Sequence, residues 1–207
     1  TIVAESKDGW KGVNVVNYLT KICSDVSIDT DVNVAAIGEY TYGLEDKCQT
    51  LVYVTVGTGI GVGVLLDGMP YKGNFHLEAG HMRIPNTHNY SGVCNLHGDC
   101  WEGLASGPSM KARWGVDPVD LPKNHEAWAI EAKLLSLGLI NIISTYSPEK
   151  IIVGGGVLSQ EHLLSMIMSN IAILWNNFTP LGDLSDLITK PVLGKDSGII
   201  GALSLVC

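Results

Sequence analysis

Apolar residues recur along the chain at two spacings, and the spacing sorts the segments. Over residues 12–22, Val15, Leu19 and Ile22 fall on one face of a helix. Residues 26–28 form a short apolar strand. Residues 31–40 then have helical character, with Thr30 or Asp31 as the cap. Residues 51–56 are rich in β-branched side chains and predict a strand. A second strand covers 62–66, and Gly57-Thr58-Gly59-Ile60-Gly61 is the turn between the two. Residues 73–103 are loop-like, dense in Gly, His, Asn and Cys. A long helix spans 126–146 and stops at Ser147-Pro148. Residues 150–153 form a buried strand that empties into Gly154-Gly155-Gly156. Ser159 caps another helix, to about residue 178. A strand at 187–193 and an apolar helix at 198–206 complete the pattern. Strands alternating with helices predict an α/β fold.

The 207 residues suit one large domain or a pair of small lobes. The longest apolar runs, 51–56 and 134–143, stop short of the roughly 18 residues a span needs, so no membrane is expected. Charged residues are 16% and apolar residues 46%, which excludes a disordered chain. The net charge is −8, from 13 basic and 21 acidic residues, with no basic run, so no nucleic acid is expected as a partner. Five Cys are scattered through a chain with no signal-peptide pattern. This points to a reducing cytoplasm, with Cys23, Cys48 and Cys207 as plain buried thiols. The Asn-x-Ser/Thr matches at Asn89 and Asn177 then carry no weight. The 24 glycines need a reason, since Gly weakens helix and strand interiors.

Much of that glycine lies in turns. The run from Gly57 to Gly63 is not a dinucleotide fingerprint. Val stands at 62 and 64, where G-x-G-x-x-G needs Gly, and the run leads into a strand rather than a helix. No G-x-x-x-x-G-K-[ST] loop occurs. What remains is either a tight hairpin or a turn whose N–H groups, with the Thr58 hydroxyl, face phosphate. Ile151-Ile152-Val153-Gly154-Gly155-Gly156-Val157 is strand, triple Gly and helix, a place where α/β proteins hold ligands.

Cys94-Asn95-Leu96-His97-Gly98-Asp99-Cys100 spaces three metal-type ligands by two residues, and Ala79-Gly80-His81 supplies a fourth upstream. Two thiolates and two imidazoles suit a tetrahedral structural Zn²⁺. His76 competes for the fourth position, and His88 does so more weakly. Asp31, at a helix start, is held by helix N–H groups and can accept a proton, or is an ordinary cap. Glu78 and Glu102 flank the proposed zinc loop, where carboxylates can clamp sugar hydroxyls.

Taken together and in order, these segments resemble the ROK family (repressors, open reading frames and kinases), and within it the bacterial fructokinase branch. Residues 30–39 are similar to the family's catalytic segment, and Gly57-Thr58-Gly59-Ile60-Gly61 to its second phosphate motif. Glu78-Ala79-Gly80-His81 and residues 94–108 resemble its zinc and sugar signature. Gly154-Gly155-Gly156-Val157-Leu158 looks like its adenosine motif. His97, where glucokinases commonly carry Cys, is similar to the fructokinases. The resemblance implies an actin-like, ribonuclease-H-like two-lobe ATPase fold and phosphorylation of a hexose, fructose first. Asp31 would be the general base, supported by Asn33. Glu78, His81 and Glu102 would hold sugar hydroxyls. Gly57, Thr58 and Gly59 would face the phosphate, and Gly154, Gly155, Gly156, Val157 and Leu158 the nucleoside, with Pro108 nearby. His81, Cys94, His97 and Cys100 would bind Zn²⁺, and Mg²⁺ would accompany ATP. A homodimer is also implied. The family's opening Asp-x-Gly-Gly-Thr turn is absent, so part of the N-terminal lobe is expected to be missing. Residues 1–47 would be the remainder of that lobe. Residues 48–195 would form the C-terminal lobe with its zinc loop at 81–103, and 196–207 a helix packing back. Thr30 replaces the glucokinases' Asn, and Leu77 stands where fructokinases often have Pro. Other readings are a glucose- or mannose-preferring kinase, a sugar-binding regulator of the same family, and an inactive fragment.

Overall fold

The computed structural model describes residues 9–205. Five strands form one sheet: β1 Thr50–Val56, β2 Ile60–Leu66, β3 Met69–Pro70, β4 Lys150–Gly154 and β5 Ile188–Thr189. Their order is β3-β2-β1-β4-β5. β1 and β2 are an antiparallel hairpin closed at Val56↔Ile60, whereas β1, β4 and β5 run parallel, with Thr55 opposite Gly154. Eight α-helices are described: α1 Val15–Leu19, α2 Asp31–Gly38, α3 Trp101–Ala105, α4 Gly107–Trp114, α5 Ala127–Tyr146, α6 Glu161–Trp175, α7 Leu184–Leu187 and α8 Ser197–Leu203.

Alternation along β1 decides what covers each face. Val52, Val54 and Val56 point into the main core with Trp101, Leu104, Leu135 and Leu139 from α3 and α5. Leu51 and Tyr53 point the other way, onto Ala35 and Ala36 of α2. That face of β2 carries Gly61 and Gly63. A Cβ on Gly63 would stand 2.8 Å from the Val32 carbonyl oxygen. The glycines therefore let α2 lie close on the hairpin, and this sets where its first residue, Asp31, emerges. Thr30 caps α2 by accepting from the Asn33 N–H at 3.3 Å.

At its far end α2 runs into a π-helical turn, Glu39–Gly43. The Glu39 side chain is fully buried. It accepts from the Val192 and Leu193 N–H groups, each at 2.9 Å, and from the Ser197 hydroxyl at 2.6 Å. These bonds pin the segment before α8 to α2, and Gly38 and Gly201 bring the two helices into backbone contact. Glu39→Ala strands two backbone donors. It should lower the unfolding free energy by about 3 kcal/mol in a urea titration.

Several expected elements differ. Residues 26–28 pair with no strand among the described residues, and Ile28 is exposed. The helix predicted at 12–22 shortens to α1, buries no residue and leaves Ile22 exposed. The strand expected at 187–193 shrinks to two residues, because Pro191 has no N–H to donate. Ser159 lies ahead of α6, whose cap is Gln160. The last helix ends at Leu203, and its predicted end at 206 lies outside the described residues. Cys23 is exposed and Cys48 half-buried, so neither is the buried thiol expected, and Cys207 also lies outside the described residues. α5 has the length and composition to cross a membrane. Here it is a core helix, packed between α3 and α6.

Candidate functional site

Asp31 begins α2, and Ile60 and Gly61 begin β2. Together with Asp29, His76, Glu78 and Gly80 they border a cleft of about 560 Å³. The Asp31 carboxylate accepts the Val32 N–H through Oδ1 at 2.9 Å. Its Oδ2 takes no protein hydrogen bond among the described residues, so it is open to the cleft. Thr30 is extended, so Asp29 and Asp31 emerge on the same side. Asp29 binds Lys72 at 2.7 Å, accepts the Asn33 side-chain amide at 2.7 Å, and takes the Thr30 N–H at 2.7 Å. Burial raises the Asp29 pKa, but Lys72, Asn33 and the Thr30 N–H outweigh it and hold the carboxyl below its ordinary value. The Lys72 tether is therefore intact at neutral pH and is lost as pH falls below the ordinary carboxylate range.

Neither Asp29 nor Lys72 was a sequence candidate. The pairing joins residues 43 positions apart in the chain, and the only local hint was the i, i+2 spacing to Asp31. Asn33, expected beside the base, is 4% exposed. Its side chain holds Asp29 rather than bordering the cleft.

The His/Cys group begins one residue after Gly80, which borders the cleft, although none of its four side chains does. His81, Cys94, His97 and Cys100 place one ligand atom each within 4.8 Å of one another. His81 Nδ1 lies 3.5 Å from Cys100 Sγ and 3.7 Å from Cys94 Sγ, and His97 Nδ1 lies 3.8 Å from Cys94 Sγ. His81 turns its other nitrogen, Nε2, toward Glu78 Oε2 at 4.0 Å. His76 is outside the group and pairs with Glu78 at 2.9 Å, while His88 stacks on Tyr90. Burial pushes the Cys100 thiol up, and the neighbouring Cys94 adds to this. The local fold explains the convergence. Cys94 and Gly98 exchange backbone hydrogen bonds around a tight turn with Gly98 at φ +63°. Cys100 then caps α3, its sulfur accepting the Gly103 N–H at 3.4 Å.

The glycine turns gather at the carboxyl ends of β1 and β4, where open α/β sheets leave a crevice. Thr58 is exposed at the tip of the hairpin, and the Gly57 N–H donates to Gly59 O at 2.9 Å. The Gly107 N–H at the start of α4 donates to Gly57 O at 2.8 Å, and Pro108 beside it is exposed. Gly155 has φ +97° and lies against the Val56 backbone, where a Cβ would collide. Gly154 packs on Pro191 and the Tyr53 hydroxyl, and Gly156 faces open space. Val157 and Leu158 are each 3% exposed, with their side chains in the core, so that segment presents backbone rather than side chains. Glu102, expected among the sugar hydroxyls, does not border the cleft. Its Oε2 accepts the Ile60 N–H at 3.0 Å.

Known proteins resemble this chain over most of its length. The fructokinase of Zymomonas mobilis is 38% identical over 208 residues, covering 96% of this chain and 68% of that protein. The fructokinase of Streptococcus mutans is 36% identical, covering 99% of this chain and 71% of that protein. The chain thus spans about seven-tenths of the length of these relatives. The crystal structure of a ROK family glucokinase from Streptomyces griseus, in complex with glucose and AMPPNP, superposes with a TM-score of 0.75 at 23% identity, covering all of this chain and 76% of that one. The fold is accordingly the actin-like ATPase fold of the ROK sugar kinases. The ROK family model matches residues 1–207, and the chain belongs to the ROK family.

Proposed function

We propose that this chain carries the phosphoryl-acceptor site of an ATP-dependent hexose kinase that converts fructose to fructose 6-phosphate. The observation that supports it is the position of Asp31. Its open carboxylate oxygen faces a cleft shared with Glu78 and bordered by Ile60 and Gly61, the residues that follow the Gly57-Thr58-Gly59 turn. A sugar held there has its hydroxyl between a proton acceptor and a turn of backbone donors.

In this reading Glu78 and the Nε2 edge of His81 accept and donate to sugar hydroxyls. Asp31 takes the proton of the 6-hydroxyl as that oxygen bonds the γ-phosphorus. The bond from that phosphorus to the β,γ-bridging oxygen breaks, and ADP leaves with the electron pair. Thr58 and the Gly59 N–H face the transferring phosphate, while the Gly57 N–H, bonded to Gly59 O, shapes the turn. The backbone of Gly154, Gly155, Gly156, Val157 and Leu158 lines the nucleoside, with Pro108 at the edge. Mg²⁺ held by ATP offsets phosphate charge.

A structural Zn²⁺ fits the His/Cys group. A tetrahedron with bonds of about 2.0–2.3 Å has edges of about 3.3–3.8 Å. The three sulfur–nitrogen separations, 3.5, 3.7 and 3.8 Å, fall in that range. A metal-bound His commonly presents its second nitrogen to a carboxylate, which Glu78 supplies. The ion would staple the loop that carries the sugar-binding wall. Cysteines left unpaired in this way suit a reducing cytoplasm. Residues 1–47 and 196–207 are assigned to one lobe and 48–195 to the other, a division supported by the packing of α8 on α2.

The test is coupled ADP release with fructose, mannose, glucose and N-acetylmannosamine. Fructose should give the highest kcat/KM. Sugar binding by calorimetry with no ADP release from any sugar would replace the kinase with a sugar-sensing regulator.

A further inference from the structure

The cleft has two rims that lie far apart in the chain. Asp29, Thr30 and Asp31 form one, and His76, Leu77 and Glu78 form the other. We infer that Lys72 and Asp29 are positioning residues whose ion pair ties these rims together and sets the spacing between the proposed base and the carboxylate proposed to hold the sugar. This rests on the reading of Asp31 and Glu78 as a sugar-kinase site.

The rim that carries Glu78 has little order of its own. Residues 71–78 contain no helix or strand, and 71–76 are all exposed. The segment is anchored at its ends. At one, the Tyr71 N–H donates to Val64 O at 2.8 Å. At the other, Gly80 lies so close to the Ile60 carbonyl that a Cβ would collide. In between, His76 and Glu78 bond to each other at 2.9 Å, which does not fix either to the first rim. Lys72 makes that link, with its ammonium 2.7 Å from Asp29 Oδ2.

Asp29 is a firm anchor. Its side chain is 7% exposed, against 54% for Lys72. Its Oδ1 accepts the Thr30 N–H and the Asn33 side-chain amide, each at 2.7 Å. The two oxygens thus have separate tasks. Oδ1 shapes the turn that delivers Asp31, and Oδ2 holds the segment that delivers Glu78. A charge-assisted bond to a shielded carboxylate is stronger than a fully exposed ion pair. Mutation can separate the tasks. Lys72→Met removes the pair alone. Asp29→Asn keeps an oxygen for the turn and loses the pair, and Asp29→Ala loses both.

The experiment compares wild type with these three variants, Lys72→Arg, and the Lys72→Met/Asp29→Asn double variant. It reads amide exchange at Tyr71 and Thr30 by NMR, fructose affinity by calorimetry, and kcat and KM from coupled ADP release. Lys72→Met should speed Tyr71 exchange and weaken fructose by about fivefold, with kcat within about twofold of wild type and Thr30 exchange unchanged. Asp29→Asn should match it, and the double variant should be no worse than either, because all three lack the same interaction. Lys72→Arg should restore the affinity. Asp29→Ala should also speed Thr30 exchange and lower kcat by about tenfold or more, since the turn that aims Asp31 is released. Wild-type Tyr71 exchange or wild-type fructose affinity in Lys72→Met would overturn the inference. Lys72 is exposed, so its removal leaves the fold intact. A kcat loss of about 10²-fold or more in Asp29→Asn alone would also overturn it, by making Asp29 a proton acceptor. The expected exchange and affinity changes, with no ADP released by wild type from any sugar, would uphold the tether and refute the kinase.

Discussion

Asp31→Asn is expected to reduce sugar-dependent ADP release by about 10²–10⁴-fold, the contribution of a positioned general base. The loss should fall in kcat, because Asn keeps the shape of the side chain and an oxygen that can still accept the Val32 N–H now bound by Oδ1. What it removes is the proton-accepting capacity of Oδ2 toward the cleft. The factor corresponds to about 3–5 kcal/mol of transition-state stabilisation. Thermal stability should stay close to wild type, since Asp31 is exposed and Thr30, rather than Asp31, caps the Asn33 N–H. Nucleotide-analogue affinity should also hold, because Gly57, Thr58 and Gly59 and the Gly154-Gly155-Gly156 turn do not border the cleft onto which Asp31 opens. The measurement is coupled ADP release at saturating fructose, alongside zinc content and melting temperature. A variant turning over within threefold of wild type would remove Asp31 from the chemistry, and Asp29 would be the next carboxylate to test.

The elements legible in the sequence were those whose signal is local. Residues 51–66 announced a hairpin because β-branched runs flank a glycine turn, and the strands form there with the turn at 57–59. A cap at Thr30 or Asp31 and the helix after it were visible because capping is a three-residue bond, and Thr30 supplies it. The spacing of Cys94, His97 and Cys100 pointed to one centre because a single turn can deliver all three, and His81 joins them. The rest depends on what residues meet across the fold. α3 and α4 went unseen because Gly103, Ser106, Gly107 and Pro108 break any helical periodicity between 101 and 114. Each helix instead starts at its own cap, Cys100 and Ser106. Residues 26–28 had strand-like side chains, yet they meet no strand among the described residues. Glu102 stood out as a carboxylate flanking the zinc loop, but no sequence pattern shows that it accepts the distant Ile60 N–H. The Asp29–Lys72 pair was invisible for the same reason.

Removal of the metal is expected to have the largest effect on stability. The purified protein should contain about one zinc per chain, and Cys94 and Cys100 should resist thiol reagents until a chelator is added. Residues 82–100 offer little core of their own. Of these, Ile84 and Cys100 are buried hydrophobics, whereas Val93 and Leu96 are exposed. The loop is instead tied by the Arg83–Asp99 pair, the turn at Cys94 and Gly98, and the His/Cys group. Without the ion, burial drives the Cys100 thiol toward its neutral form, and the four groups lose their common centre. Disorder should not stop at the loop, because α3 is capped by Cys100 and Trp101 is fully buried, its ring against Gly138 of α5 and its indole N–H donating to Leu134 O at 3.2 Å. Cys100→Ser should therefore cost about 4 kcal/mol, a value reserved for the loss of metals and large core features. In a domain of this size that lowers Tm by about 8–16 °C. Cys94→Ser should release the metal with a smaller loss, since Cys94 is half-buried and caps no helix. The comparison is metal analysis and calorimetry on both variants and on chelated wild type. Chelated wild type melting at the untreated temperature would show that the loop orders itself and that the four side chains are not a structural zinc centre.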